Sequence, residues 1–364
     1  MNFHILFILV ITCLQVSSNQ RNIICYYLHG YGVNIAPPES LNTTLCTHIN
    51  YAFVKLDVNG TLIHQRSSVD VKHQLYARTL SLKKTNSDLK VLISIGDTNA
   101  STFSTVSADP KTRQRFVNSS VNFLKAHNFD GIDVDWELPY SKDADNFVLL
   151  LKELKEAFND KNWLLTVAVY PNPSVGYKVT EIMKYVDMIN LMCYNYYGPW
   201  SAYTGHNAAL FSSPIESAYE KIHLNTAASL QNWMEAGATK SKINVGIPFY
   251  GRTFTLVNAD DHSFHSPIIG GGRPLTPSYK QICKNFNNYS QVWDDEQQIS
   301  YKYYKDQWLS YDEERSVAAK AKFIKSQGVA GAMIWQIGQD DINGECGPKQ
   351  GLLQTVYRYL NEEN

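Results

Sequence analysis

Short apolar runs recur along the chain, and most are apolar at nearly every position rather than at every second one. They fall at Asn22–Leu28, 48–54, 90–96, 131–137, 164–170, 188–194, 243–249 and 331–337. Strands covered on both faces, as in a parallel sheet, carry this continuous character. Helical patterns lie between several of the runs. In 141–160 the side chains of Phe147, Leu150, Leu151, Leu154 and Phe158 form one apolar stripe, and similar stripes run through 112–127 and 314–326. Eight strands alternating with helices predict an α/β fold, a (β/α)8 barrel, over 19–364. The stretch 253–311 is too long for a simple crossover and holds its own strand-like pieces. It is expected to form a small α+β insertion between the seventh and eighth strands.

The N-terminus moves the start of that barrel. An apolar run over 3–14 precedes small residues, and Val16 and Ser18 suit cleavage after Ser18, so 1–18 reads as a signal peptide. The run is too short to cross a bilayer. A secreted, extracellular protein in an oxidising compartment is expected. Five cysteines then remain. Cys25 and Cys46 are close in sequence and are expected to pair, as are Cys283 and Cys346, which flank a late segment. Cys193 sits in an apolar run and is expected to pack as a small hydrophobe. Sequons at Asn42, Asn59, Asn118 and Asn288, with a fifth at Asn99, agree with secretion.

Charge narrows the partners. A net charge of -1 offers no field for phosphate backbones or anionic lipid, so neither nucleic acid nor membrane is expected. Aromatic residues make up 12% of the chain, which suits stacking on flat ligands, although an aromatic core would use them equally well. The His residues lack metal-ligand spacing, no G-x-S-x-G occurs, and Gly270, Gly271 and Gly272 are not followed by Lys and Ser or Thr. No metal and no cofactor are expected.

The chemistry concentrates in 129–140, FDGIDVDWELPY. Asp133, Asp135 and Glu137 are two apart, so a strand points all three to one face. In a barrel's fourth strand that face is the lumen, and Glu137 would reach the C-terminal rim, where barrel active sites lie. A calcium loop fits poorly, because apolar residues interleave the acids and no glycine marks the sharp turn. Carboxyls this close cannot all ionise at once, so one keeps its proton near neutral pH, as a general acid for a glycosidic oxygen requires. The expectation is that Glu137 holds that proton while Asp133 and Asp135 share charge beneath it.

The segment DGIDVDWE resembles the D-G-x-D-x-D-x-E signature of family 18 chitinases, through Asp130, Asp133, Asp135 and Glu137. CYY at Cys25, YAF at Tyr51, KVLISIG at Lys90, MCYN at Met192, TGHN at Thr204, GIPFYGRTF at Gly246 and GAMIWQIGQDD at Gly331 extend the resemblance over nearly the whole chain. It implies endo-acting hydrolysis of chitin or chitooligosaccharides, with disulfides Cys25–Cys46 and Cys283–Cys346. It also implies retention of configuration, in which the substrate's own acetamido oxygen attacks the anomeric carbon. Glu137 would be the acid, Asp135 would hold the acetamide N–H, and Asp133 would relay charge. Trp335 would floor the subsite and Tyr194 would bond the acetamide oxygen. Tyr26, Phe53, Gly96, Asp97, Leu138, Met192, Asn195, Tyr250 and Arg252 would complete the substrate-binding set, in a monomer.

Three departures qualify that picture. Gly96-Asp97-Thr98-Asn99 stands where the family has Gly-Gly-Trp-Asn, which removes a stacking Trp and implies weaker action on insoluble chitin. Asn99 is both a sequon and a cleft position, so it is expected to stay unmodified. Asn195 replaces the family's Asp, which implies a lower pH optimum. The alternatives are a non-catalytic chitin-binding lectin or growth-factor-like member of the same family, and an endo-β-N-acetylglucosaminidase.

Overall fold

The computed structural model describes residues 20–28 and 36–362; the expected signal peptide lies outside them. Among the described residues the strands are β1 (Asn22–Leu28), β2 (His48–Leu56), β3 (Leu62–His64), β4 (Lys90–Ile95), β5 (Gly131–Asp135), β6 (Leu164–Val169), β7 (Met188–Leu191) and β8 (Ile243–Pro248). They continue with β9 (Arg252–Leu256), β10 (Ile268–Gly271), β11 (Ser290–Asp294), β12 (Ile299–Tyr304), β13 (Gln307–Tyr311) and β14 (Gly331–Trp335).

Eight of these close a parallel barrel in the order β1-β14-β8-β7-β6-β5-β4-β2, and the β1–β2 pairing shuts the ring. The register sets Asn22 opposite Gly331 and Ile24 opposite His48. Strand β3 runs antiparallel to the end of β2. Full burial of β5, β7 and β8 explains their unbroken apolar character, since helices cover one face and lumen side chains the other.

The helices form where the stripes predict them, with local signals setting their ends. Helix Ala144–Phe158 buries all five residues of its stripe. Helix Pro110–His127 begins with Pro at its first position and Asp109 accepting from the Lys111 N–H; it stops at Asn128, whose φ is 61°. Helix Glu314–Gln327 stops at left-handed Gly328. The main core lies between strands and helices. A smaller cluster fills the barrel lumen, with Ile24, Tyr26, Phe53, Met188, Met192, Tyr194, Tyr250 and Met333 among its members.

Between β8 and β14 a second sheet, antiparallel and ordered β10-β9-β13-β12-β11, stands over the barrel mouth together with helix Tyr279–Asn285. The disulfide Cys283–Cys346 ties this helix to the loop after β14, and Cys25–Cys46 ties β1 to the segment before β2. Cys193 is buried and unpaired.

Candidate active site

The three acids of β5 descend through the mouth at three depths. Asp133 is fully buried, Asp135 nearly so, and Glu137 lies beyond the strand's end in the open. The interleaving residues Ile132, Val134 and Trp136 pack outward, Trp136 stacking on Phe103 with ring centroids 5.3 Å apart. The expected strand 131–137 ends at Asp135, and the run 188–194 ends at Leu191. At the same level the backbone turns left-handed, at Asp97 (φ 47°), Leu138 (φ 58°) and Asn195 (φ 61°). Glu137 and Tyr194 lie past the ends of their strands at this level, and Gly96 keeps one bond to β2, its N–H donating to the Val54 carbonyl at 3.2 Å.

Asp133 accepts four hydrogen bonds. Tyr26 Oη and Ser94 Oγ each donate to Oδ2 at 2.7 Å, and Thr166 Oγ1 (2.6 Å) and Asn190 Nδ2 (3.1 Å) donate to Oδ1. Burial pushes its pKa up, and these four donors offset part of that shift. Asp135 lacks such help. Its Oδ1 is buried without a partner. Burial, then the charges of Glu137 and Asp133, hold its pKa well above the carboxylate range. Glu137 is raised by the protein closing around its carboxyl and then by Asp97, although water reaches the side chain from the mouth. The proton expected on Glu137 alone is therefore favoured on Asp135 as well.

Trp335 and Phe53 form the floor, stacked at 5.7 Å and 25°, with Tyr26 tilted against Trp335 at 5.4 Å. Gly96 lies against Phe53: a Cβ there would stand 2.6 Å from two of its ring carbons. Tyr194 meets Tyr250 edge-on at 6.1 Å, and its hydroxyl donates weakly to Met333 Sδ at 3.9 Å. Asn195 Oδ1 accepts from Tyr250 Oη and Arg252 Nη2, both at 2.6 Å. Met192 is buried beside them, Leu138 is exposed on the rim, and Asp97 pairs with Lys55 at 3.1 Å. Asp130, the first acid of the motif, sits at the strand's other end, where it holds Lys83 and the Val91 N–H. Thr98 faces the wall: its hydroxyl donates to the Gly96 carbonyl and accepts from the Leu56 N–H.

Several residues of the site escaped the sequence reading. Ser94, Thr166 and Asn190, the partners of Asp133, are lone polar residues inside otherwise apolar strands. Asn244, which donates to Asn190 Oδ1 at 3.2 Å, is another. That intrusion was the signal available. Trp200 was also missed; it is 59% exposed, with the Arg252 guanidinium 5.1 Å from its ring. The TGHN motif proves to be a brace. His206, fully buried, meets Asp294 Oδ2 of β11 at 3.1 Å and Ser310 Oγ of β13 at 3.2 Å. Ser310 Oγ accepts from the Asn207 N–H, and Asn207 Oδ1 accepts from the Asn195 N–H.

The sequence model of glycosyl hydrolases family 18 matches residues 22–340. The chain belongs to glycosyl hydrolase family 18. Among curated members of the family, the probable chitinase 10 of Drosophila melanogaster is 34% identical over 96% of this chain, which spans 16% of that relative's length. The solved Group IV chitinase of Ostrinia furnacalis superposes with a TM-score of 0.89 at 33% identity, over 94% of this chain and 100% of that one. Human YKL-39, described as a pseudo-chitinase with retained chitooligosaccharide binding, superposes at 0.87 and 31% identity, over 93% and 99%. The family 18 frame thus carries both chitinases and a binder that has lost catalysis.

Proposed function

We propose that this chain is a secreted, endo-acting chitinase that cleaves β-1,4 links in N-acetylglucosamine polymers with retention of configuration. The graded carboxyl stack carries the reading. An open, proton-retaining Glu137 stands above a proton-rich Asp135 and a buried Asp133 held by four donors. A site that only binds sugar has no use for two buried carboxyls stacked beneath a third at the rim, an arrangement costly to keep.

Glu137 gives its proton to the leaving oxygen as the substrate's acetamido oxygen attacks the anomeric carbon, forming an oxazolinium ion. The unpartnered oxygen of Asp135 accepts the acetamide N–H, while the four donors around Asp133 stabilise the charge beneath. Glu137, now a carboxylate, takes a proton from the water that opens the ring. The second displacement restores the original configuration. The Trp335–Phe53 floor supplies the flat apolar surface on which a pyranose stacks. No step calls on a metal or cofactor.

Two disulfides and exposed asparagines at all five sequons support the secreted setting. A monomeric state is part of the same proposal. Release of reducing ends from chitin oligomers tests the proposal. The parent releases them and Glu137→Gln does not; a parent that binds oligomers without cleaving them would make this a pseudo-chitinase.

A further inference from the structure

The segment between β1 and β2 carries the sequon Asn42-Thr43-Thr44, and its asparagine opens onto a pocket of about 390 Å³ on the outside of the barrel. That volume lies within the range of small-molecule sites. The pocket runs between the 3-10 turn Thr43–Leu45 and the C-terminal helix Gly351–Asn361. Leu45, Pro348 and Tyr357 give it apolar surface, while Gln354, Arg358 and Glu362 give it hydrogen-bonding groups. Such a mixture suits a sugar, whose ring offers C–H faces to an aromatic wall and hydroxyls to polar side chains. The sequon itself is set for attachment. Asn42 and Thr44 are both exposed, and Thr44 Oγ1 donates to Asn42 Oδ1 at 2.7 Å. The Asn42 N–H donates to Gln350 Oε1 at 2.7 Å, which fixes the turn against the start of the helix. Asn118 makes the contrast: it lies within helix Pro110–His127, and Ser120, which completes its sequon, is fully buried.

We propose that Asn42 carries an N-linked glycan whose first N-acetylglucosamine sits in this pocket and pins the C-terminal helix to the β1–β2 connection. The proposal rests on the secreted reading above. The donor is a lipid-linked oligosaccharide diphosphate: a bond forms between Asn42 Nδ2 and the anomeric carbon, one N–H proton is released, and the bond from that carbon to the lipid diphosphate breaks. A sugar already tethered beside its pocket meets it at high effective concentration, so even a weak aromatic contact holds it there. The clamp has a place in the topology. Cys46, directly after the turn, is bonded to Cys25 of β1, and the helix follows β14. The glycan therefore bridges the seam where the first barrel strand pairs with the last.

The test compares the full chain secreted from a eukaryotic host as parent, Thr44→Ser, Thr44→Ala and Thr61→Ala, by glycopeptide mass and by hydrogen exchange across 351–361. Thr44→Ser keeps the sequon and Thr44→Ala abolishes it. Thr61→Ala abolishes the sequon of Asn59, which sits in an exposed turn away from the pocket. Glycan is expected at Asn42 in the parent and in Thr44→Ser. Exchange in the helix should be about three- to tenfold faster in Thr44→Ala, the worth of one aromatic contact, and unchanged in Thr61→Ala. Parent and Thr44→Ala made without glycan in a bacterial periplasm should exchange alike, which separates the sugar from the lost hydroxyl. Glycan at other sequons with none at Asn42, a glycan there whose loss leaves the helix unchanged, or an equal difference between the bare proteins overturns the inference. Bare asparagines at all five sequons would sink the secreted reading along with it.

Discussion

Replacing Gly96 with Ala probes how the floor is held. The φ of Gly96 lies outside the left-handed region, so the added methyl tests space alone. That carbon would stand 2.6 Å from both Cδ1 and Cε1 of Phe53 and 3.2 Å from Asp135 Cβ. Carbon atoms prefer about 3.5–4.0 Å, so the Phe53 ring must retreat by roughly 1 Å. It cannot retreat freely, because Trp335 is stacked on it at 5.7 Å. Overpacking of this kind costs about 1–3 kcal/mol, which lowers the melting midpoint by a few degrees in a chain of this size. Displacing the sugar platform by ~1 Å should cost kcat/KM on the order of 10- to 100-fold. Thermal unfolding and oligomer hydrolysis measure the two effects. Phe53→Leu in the Gly96→Ala background should restore part of the stability, because the shorter side chain vacates the contested space. A variant with the parent's midpoint and kcat/KM, or a double variant whose losses simply add, would refute the reasoning.

Asp135→Asn should abolish hydrolysis yet raise the melting midpoint, a trade common at strained sites. The parent's Asp135 has its folded pKa above its unfolded one, so its favourable contribution is complete below the unfolded pKa and is lost as pH rises through the folded value. The variant's advantage should therefore be small in acid and widen toward alkaline pH; a gap that narrows instead would contradict the assignment. Asn195→Asp places a carboxylate beside Arg252 and near the acid, adding like charge that holds the Glu137 proton more tightly. The alkaline limb of the kcat/KM profile should move upward, and a downward move would count against it.

The barrel was legible because buried parallel strands leave the plainest of patterns, and each of the eight runs became a strand. Their C-terminal ends were not. Apolar residues run on through Met192 and Cys193, while the backbone has already left the ladder to turn at Asn195. The i, i+2 acids were legible for the same reason as the strands, since spacing alone sets a face. Where the protons sit was not. That depends on Tyr26, Ser94, Thr166 and Asn190 converging on Asp133 from four other strands, 33 to 107 residues away. Asp135 is left without such partners, and no local pattern records that difference. Thr98 teaches a related lesson: its hydroxyl belongs to the wall, where it anchors the loop to the Gly96 carbonyl and the Leu56 N–H.

The brace through His206 has a consequence for anyone recombining these barrels. The sheet above the mouth is not a module that plugs into two chain ends. Asp294 and Ser310 of that sheet are joined through His206 and Asn207 to the turn that carries Asn195, which in turn fixes Tyr250 and Arg252. A chimera that exchanges 252–311 alone would leave His206 buried against strangers. One that carries 204–207 along transplants the lock with its key.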